Sequence, residues 1–378
     1  MINIDEKLSE MRSEAVNKYD KESAKELEKA IDRRIMIAAG KVVAITLLVL
    51  ALVFACISPV MNSIYANPLD CKADDVSVMN MAGYDVNELD ISGHLISELK
   101  LGAVLNAYYE LNYPYVWVGM PPSVKKRGFS KYEISLNMIK DCGRRHIGID
   151  NMQLEMYKGI MSVKSDPEGY SDNMLRFTDL AHTMDTQAEE DSWISLSRDR
   201  MADAIKELKE LPDSCYIYVS VQDSTPLPIM DLVKMGSEDF QLYWAEVMPT
   251  IDTGRTGSPV FTGGISIEAI RGFDAEGNYI DEVTEDILKE HYINNLKLIN
   301  DNKRIIEGMQ FVIDNISGSG EEWIDGAIEN AEKMDVLMTE KYCVGGRKAD
   351  VLKYLSSRDA YSIVVDNVKL SPLISAQD

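Results

Sequence analysis

The sequence has few of the residue types, and none of the complete motifs, on which enzymes and metal proteins depend. Its 378 residues include four histidines and five cysteines, and these form no HExxH, CxxC or comparable metal-binding pattern. An SxxK pattern at 123–126 and an SDN at 171–173 are not joined by the KTG motif of penicillin-binding enzymes. Glycine-rich stretches at 254–264 and 318–320 lack the Lys-Ser/Thr ending of a phosphate-binding loop. We therefore predict no catalytic residue, no cofactor and no metal site.

Positive charge is scarce as well, and the net charge of the chain is −23. Residues 1–65 are neutral, with nine acidic and nine basic residues, whereas residues 66–378 hold 53 acidic and 30 basic residues. Nucleic acids, teichoic acids and anionic lipids attract basic surfaces, so a region this acidic argues against binding any of them directly. The simplest consequence of the acidic excess is solubility.

Only one long apolar run occurs in the chain. Residues 42–57 are apolar except for Thr46, and with its flanks the run reaches about 20 residues, the length of helix that crosses roughly 30 Å of hydrocarbon. This pattern predicts a transmembrane helix at residues 35–61, surrounded by the lipid bilayer. The chain is then divided into two unequal pieces on opposite sides of a membrane.

Basic residues flank the apolar run on one side. Arg33, Arg34 and Lys41 stand before or at its start, whereas the next basic residue after it is Lys72. The positive-inside rule therefore predicts a single-pass cell-membrane protein with a cytoplasmic N-terminus and an extracytoplasmic C-terminal region. A cleaved secretory signal is the alternative, but such signals have a short n-region and 41 residues precede this run. We interpret Cys56 as an apolar residue of the span rather than a lipidated cysteine.

The cytoplasmic piece, residues 1–34, has the pattern of one amphipathic helix. Apolar residues recur at steps of three and four from Ile4 to Tyr19 and then resume nearer the membrane. The first group includes the four residues that we predict to bind a partner: Leu8, Met11, Ala15 and Tyr19. The second group consists of Ala24, Leu27 and Ile31. A helix of this length has no core of its own to cover such a stripe, so a groove on a partner protein is the function that the pattern favours.

Four cysteines lie in the outer region, at 71, 142, 215 and 343. An even number permits two disulfides, in three possible connectivities. Their wide spacing and the size of the region favour free thiols, because a chain of this length builds a hydrophobic core without covalent staples.

The outer region is predicted to be α+β, in two parts. The first part, residues 66–187, begins with a polar linker at 67–85, continues with apolar segments at 89–101 and 105–118, and is expected to be mainly strand. Residues 133–138 and 152–156 alternate between apolar and polar side chains, which predicts two half-buried strands joined by a turn region at 141–151.

The second part, residues 188–378, carries a weak internal repeat of strand, helix and strand. The first copy runs through residues 193–197, 200–211 and 215–221, and the second through 342–344, 347–355 and 361–368. Two βαβ units in one domain predict a sheet layered by helices, with a ferredoxin-like arrangement as one form. A strand at 241–247 and helices starting at Thr284 and Asp325 complete the prediction.

Several short motifs occur in a fixed order along the outer region. LDISG at 89–93 and ELKLG at 98–102 open it, and CVGGRKADVL at 343–352 with IVVDNV at 363–368 closes it. Between them lie three further motifs: WISLS at 193–197, YIYVSV at 216–221 and YWA at 243–245. In this order the motifs resemble those of Firmicute membrane anti-sigma factors that carry paired sigma factor regulator N-terminal and C-terminal domains.

The resemblance spans most of residues 30–370 and implies a function. It implies that the cytoplasmic segment holds an extracytoplasmic-function sigma factor inactive at the membrane and releases it in response to an envelope signal. Many members of the family have a longer cytoplasmic domain with a zinc-binding motif, which this chain lacks, so a second small membrane protein is an additional expected partner. The alternative from another class is a membrane-anchored binding or sensing module for a peptide or cell-wall component.

Overall fold

The computed structural model describes residues 4–81, 93–112, 116–141, 146–165, 202–237, 240–248, 263–270, 280, 282–308, 322–358 and 360–370. The chain divides into two compact units, Met1–Ile64 and Tyr65–Asp378. The first unit consists of one helix, and the second contains two β-sheets with their helices.

The first unit is the helix α1 (Ile4–Ile64), in which the two segments expected at 1–34 and 35–61 are continuous. Within it, Glu6–Ile57 is long and apolar enough to cross a membrane, by length and composition. Thr46 interrupts the apolar run without leaving a free hydroxyl, because its Oγ1 donates to the carbonyl of Val42 at 2.8 Å. Such a back-bonded hydroxyl costs little in hydrocarbon.

The segment after α1 is packed, which corrects the prediction of a linker at residues 67–85. Leu69 packs against the core of the second unit, Cys71 is buried, and α2 (Asp75–Met81) buries Val78 and Met79. Asn302 fixes the backbone of Lys72, accepting from its N–H and donating to its carbonyl, both at 2.7 Å.

The helix α3 (Gly93–Asn112) replaces the apolar extended segments expected at 89–101 and 105–118. Eleven of its residues are buried, on most sides of the helix. A helix buried all round shows no polar face, so its period is hidden and its tyrosines and valine resemble strand residues. Its length of 20 residues favours a helix.

The first sheet is an antiparallel meander of four strands in the order β1-β2-β3-β4. Its strands are β1 (Val116–Gly128), β2 (Lys131–Asp141), β3 (His146–Tyr157) and β4 (Ile160–Ser165). The predicted strands at 133–138 and 152–156 are confirmed as parts of β2 and β3, with Ile134 paired to Leu154. The turn region between them is shorter than expected, because β3 already begins at His146.

The second sheet follows a helix at 202–210, α4, which lies within the helix predicted for residues 200–211. Its first strand is β5 (Cys215–Pro228), followed by helix α5 (Ile229–Lys234) and strands β6 (Phe240–Glu246) and β7 (Gly264–Ser266). Next come the helices α6 (Ile267–Ile270), α7 (Glu285–Asp301), α8 (Lys303–Glu307) and α9 (Glu322–Lys333). Strand β8 (Met338–Arg347), helix α10 (Lys348–Ser356) and strand β9 (Ala360–Leu370) close the unit.

The strand order of the second sheet is β7-β6-β8-β5-β9, and every neighbouring pair is antiparallel. Strands β5 and β6 are therefore parallel to each other with β8 between them, and β8 and β9 are parallel with β5 between them. The segments β5-α5-β6 and β8-α10-β9 thus form two interlocked split βαβ units, the arrangement of ferredoxin-like folds.

The second predicted βαβ unit, at 342–368, corresponds to β8-α10-β9. The first predicted unit, at 193–221, differs from the observed one in its elements. Its expected first strand at 193–197 lies outside the described residues, and β5 instead opens a unit that returns through the short helix α5. The helix predicted from Thr284 is confirmed as α7, with the Thr284 hydroxyl accepting from the N–H of Ile287 at 3.3 Å.

The two sheets share one hydrophobic core, and α3 contacts β1 of the first sheet as well as α7 and β7 beside the second. Three buried cysteines of this unit, Cys71, Cys215 and Cys343, are free thiols. Burial and the nearby Asp70 raise the pKa of Cys71 to about 12, so this thiol stays protonated and unreactive. Cys142 and the predicted domain boundary at 187–188 lie outside the described residues.

Candidate functional site

The predicted partner-binding residues lie on α1, and all four are exposed. Leu8 is 57% exposed, Met11 64% and Tyr19 77%, and Ala15 lies between them on the same helix. At 100° per residue these positions fall within an arc of about 80°. We call them the N-terminal apolar face of α1. A continuous helix thus presents four apolar side chains in the geometry that a groove on a partner recognises.

The second apolar group of α1 does not continue this face. Leu27 is 63% exposed and Ile31 48%, and both belong to the same uninterrupted helix. The helical step places the group of Ala24, Leu27 and Ile31 about 150° from the N-terminal apolar face. The sequence pattern was interpreted as one stripe, but the structure separates it into two faces that one groove would not contact together.

In the second unit, Glu110 of α3 is a buried carboxylate with several partners. Its Oε1 accepts from the backbone N–H of Ser266 at 2.9 Å, and its Oε2 accepts from Nδ2 of Asn295 at 2.8 Å. His291 Nε2 lies 2.9 Å from both carboxylate oxygens. The backbone carbonyl of Glu110 accepts from Nε1 of Trp244 at 2.6 Å. One residue of α3 is therefore bonded to β6, β7 and α7, and we call this group the Glu110 joint.

The electrostatics of the joint favour an ion pair. The side chain of Glu110 is 9% exposed and that of His291 is 23% exposed. Burial opposes the charged imidazole, but the negative charge of Glu110 and its hydrogen bond outweigh that effect, so the pKa of His291 is raised above its ordinary value of 6.5. His291 thus keeps its positive charge to a higher pH than an ordinary imidazole does.

A second buried polar group lies on the interior strands β5 and β8 of the second sheet. Asp223 of β5 accepts from the hydroxyl of Tyr342 at 2.9 Å and from Arg358 through the same oxygen, Oδ2. The hydroxyls of Tyr342 and Tyr354 lie 2.6 Å apart. Burial raises the pKa of both phenols, to about 12 for Tyr354, so both remain neutral and act as hydrogen-bonding groups. These contacts stabilise the segment that leads from α10 into β9.

Sequence reasoning missed both polar groups. Neither His291 nor Glu110 belongs to a motif in the sequence, and neither was singled out. A signal was nevertheless present, because Glu110 is a charged residue within the apolar segment at 99–111, and such residues are rarely buried without a partner.

Four motifs of the family resemblance meet in the second sheet, whereas ELKLG at 98–102 lies in α3. YIYVSV lies in β5, YWA in β6, CVGGRKADVL in β8 and α10, and IVVDNV in β9. At Gly345 of the CVGG segment a Cβ would lie 2.6 Å from the ring of Tyr243, so no larger residue fits there without a shift. Lys348 of the same segment donates to the carbonyls of Lys209 (2.9 Å) and Leu211 and to Asp213, where it caps the end of α4. The motif at 193–197 lies outside the described residues.

No metal-binding group emerges among the described residues, where no three His, Cys, Asp or Glu side chains are close enough to hold an ion. Ser123 and Lys126 of the SxxK pattern lie in strand β1, not at the start of a helix as a penicillin-binding nucleophile would.

A comparison of the chain with protein-family models, with curated proteins and with solved structures finds no match.

Proposed function

We propose that this chain is a single-pass membrane anti-sigma factor. In this proposal the N-terminal part of α1 sequesters an extracytoplasmic-function sigma factor at the inner face of the cell membrane. The folded unit after residue 65 lies outside and governs release in response to an envelope signal. The chain contributes binding and signalling, and it carries no enzymatic activity.

One observation carries the proposal: the helix with the candidate membrane span also bears an uncovered apolar face. The apolar run and the N-terminal apolar face belong to one uninterrupted helix. Burial of a Leu or Met side chain contributes about 1.5–3 kcal/mol, so four exposed apolar residues on one face favour association with another protein. The family resemblance supplies the identity of that protein.

The outer unit suits a sensing role. It has a continuous core and buried polar groups that hold its helices in place, and the Glu110 joint connects α3 to β6 and β7 of the second sheet and to helix α7. Its buried titratable groups bond one another and the backbone, which is typical of structural networks. In a sensor of this kind the signal changes the packing of the domain, and no substrate is converted.

The membrane topology is tested by adding protease to intact protoplasts. With Arg33, Arg34 and Lys41 on the cytoplasmic side, external protease is expected to remove the region after residue 65 and to leave α1 protected. Protection of residues 66–378 would reverse the orientation and exclude an outer sensor.

The regulatory role is tested by deleting residues 66–378 in the cell and sequencing its transcripts. An anti-sigma factor without its outer unit should change the expression of one regulon, because release is no longer controlled. A tethered binding module, the alternative function, should lose surface binding of its ligand with no change in transcription. Hydrolase or transferase activity in the purified outer unit would contradict both functions.

A further inference from the structure

Two tight hairpin turns lie side by side at one end of the first sheet. Phe129 and Ser130 connect β1 to β2, and Lys158 and Gly159 connect β3 to β4. Lys158 and Gly159 have φ angles of 51° and 80°, both positive as a type I′ hairpin requires, and Ser130 has a φ angle of 48°. The N–H of Lys158 donates to the carbonyl of Ser130 at 2.9 Å, so the two tips form one surface.

This surface, residues 125–131 and 157–160, has a composition opposite to that of the rest of the unit. It contains five basic residues and no acidic residue in a chain of net charge −23. The five are Lys125, Lys126, Arg127, Lys131 and Lys158. Three apolar side chains project among them and are exposed, Phe129 by 39%, Tyr157 by 50% and Ile160 by 51%. We call residues 125–131 and 157–160 the hairpin-tip surface.

Neighbouring carboxylates neutralise only part of this charge. Arg127 pairs with Glu133 at 2.6 Å and Lys131 with Glu155 at 3.0 Å. The remaining three lysines are exposed, and none forms a salt bridge among the residues that the structure describes. Lys158 lies 5.3 Å from the ring centroid of Tyr157, a cation over an aromatic face.

The hairpin-tip surface lies against a residue that is close in sequence to the end of the candidate membrane span. A Cβ at Gly159 would lie 3.4 Å from the backbone nitrogen of Ala66, so the β3–β4 turn lies against the first residues of the second unit. Ala66 follows the end of α1 at Ile64 by two residues. Seven helical steps from Ile57 and two extended residues reach about 18 Å at most. When the apolar run crosses a membrane, the chain therefore keeps Ala66 within about 18 Å of the end of the run.

We propose that the hairpin-tip surface docks onto the anionic surface of the bilayer that the chain spans. The lysine ammonium groups contact lipid phosphates, and Phe129, Tyr157 and Ile160 enter the boundary between headgroups and acyl chains. Clusters of Lys and Arg bind anionic membranes, and aromatic residues concentrate at the same depth. This refines the sequence-based expectation, because the excess of acidic residues excludes anionic lipid as a partner for most of the unit but not for these tips.

The docking proposal depends on the membrane-anchor part of the proposed function and not on the sigma factor. The test uses the full-length chain in nanodiscs of phosphatidylcholine, with or without phosphatidylglycerol. Amide hydrogen exchange is measured at residues 125–131 and 157–160. Each Lys near an anionic surface is expected to strengthen association about fivefold. We therefore expect exchange at the tips to be at least about fivefold slower with phosphatidylglycerol.

Two variants separate docking from a general effect of charge. The triple variant K125E/K126E/K158E should exchange at the same rate in both lipids. The matched control K206E/K234E/K353E changes three exposed lysines on α4, α5 and α10, and it should keep the protection of the wild type. Unchanged slow exchange at Ile134 and Leu136 in β2 verifies that each variant is folded.

The outcomes distinguish a failure of the docking proposal from a failure of the membrane anchor. Equal exchange of the wild-type tips in both lipids, or equal protection in the K125E/K126E/K158E variant, would overturn the docking. Failure of the full-length chain to incorporate into nanodiscs would overturn the membrane anchor itself. A further variant, F129S/Y157S/I160S, should lose protection although its charge is unchanged, and retention of full protection would contradict the insertion of the apolar side chains.

Discussion

The carboxylate of Glu110 in α3 lies 2.9 Å from Nε2 of His291 in α7, and this contact connects the helix beside the first sheet to the helix beside the second. The two residues are 181 positions apart in the chain. The same carboxylate accepts from Ser266 of β7 and from Asn295 of α7, so three elements meet at one buried charge.

Replacement of Glu110 should destabilise the second unit more than most substitutions. Glu110→Ala leaves the donors of Ser266 and Asn295 and the ring of His291 without their acceptor. Removal of one partner from a buried pair typically costs about 3–5 kcal/mol. Urea unfolding of residues 65–378, followed by tryptophan fluorescence, measures the loss. The control Glu290→Ala changes an exposed residue beside His291, and we expect it to stay within about 0.5 kcal/mol of the wild type. Equal effects of the two substitutions would contradict a structural role for the joint.

The stability of the second unit should decrease as pH rises through the pKa of His291. Because that pKa is raised above 6.5 by Glu110, the ion pair contributes its full stability below pH 6.5. The contribution disappears as the imidazole loses its proton at higher pH. His291→Gln should remove this dependence, whereas His94→Gln, at a ring that is 57% exposed, should keep it. The measurement is the free energy of unfolding of residues 65–378 from pH 5 to pH 9, and identical profiles for wild type and His291→Gln would exclude the ion pair as its origin.

Lys348 should stabilise the end of α4 through its ammonium group. Lys348→Met keeps the length of the side chain but removes the donor to two carbonyls and to Asp213. Hydrogen bonds from a charged donor contribute about 1.5–3 kcal/mol, so amide exchange in residues 202–210 should accelerate by at least about tenfold. Lys353→Met, an exposed position on the same helix as Lys348, is the control and should leave exchange unchanged. An unaffected α4 in Lys348→Met would show that the cap is not needed.

The sequence predicts those elements whose periodicity is complete. Strands β2 and β3 alternate because one of their faces is solvated, and α7 has both a capping threonine and a polar face. Helix α3 has no polar face, since it is buried on most sides, and its tyrosines favour a strand assignment. The order of strands in the second sheet could not be predicted from local periodicity either. It depends on the pairing of β5 with β8 and β9, which are distant from β5 in the chain.

The candidate site could be predicted only in part, again because local periodicity does not contain tertiary contacts. Helical spacing identified the exposed residues of α1, and the structure places Leu8, Met11 and Tyr19 on one face. Spacing within each group did not reveal that Leu27 and Ile31 lie on another face, because the interval between the groups sets their relative angle. Glu110 and His291 meet only through tertiary packing, which neither local pattern contains.

The central claim is that α1 holds a sigma factor through its N-terminal apolar face. The most direct measurement is purification of the tagged full-length chain from membranes, with mass-spectrometric quantification of every protein retained. The wild type should retain a sigma factor, alone or with a second small membrane protein. A few anchors carry most of the energy of such an interface, so L8A/M11A should reduce retention at least about tenfold, or about 1.4 kcal/mol.

Two controls make the result specific to that face. L27A/I31A removes similar side chains from the other face of α1, and K18A/E22A removes charged side chains that are exposed on the same helix. Both variants should retain the sigma factor at the wild-type level. A wild-type chain that retains no sigma factor, or an L8A/M11A chain that retains as much as the wild type, would contradict the account.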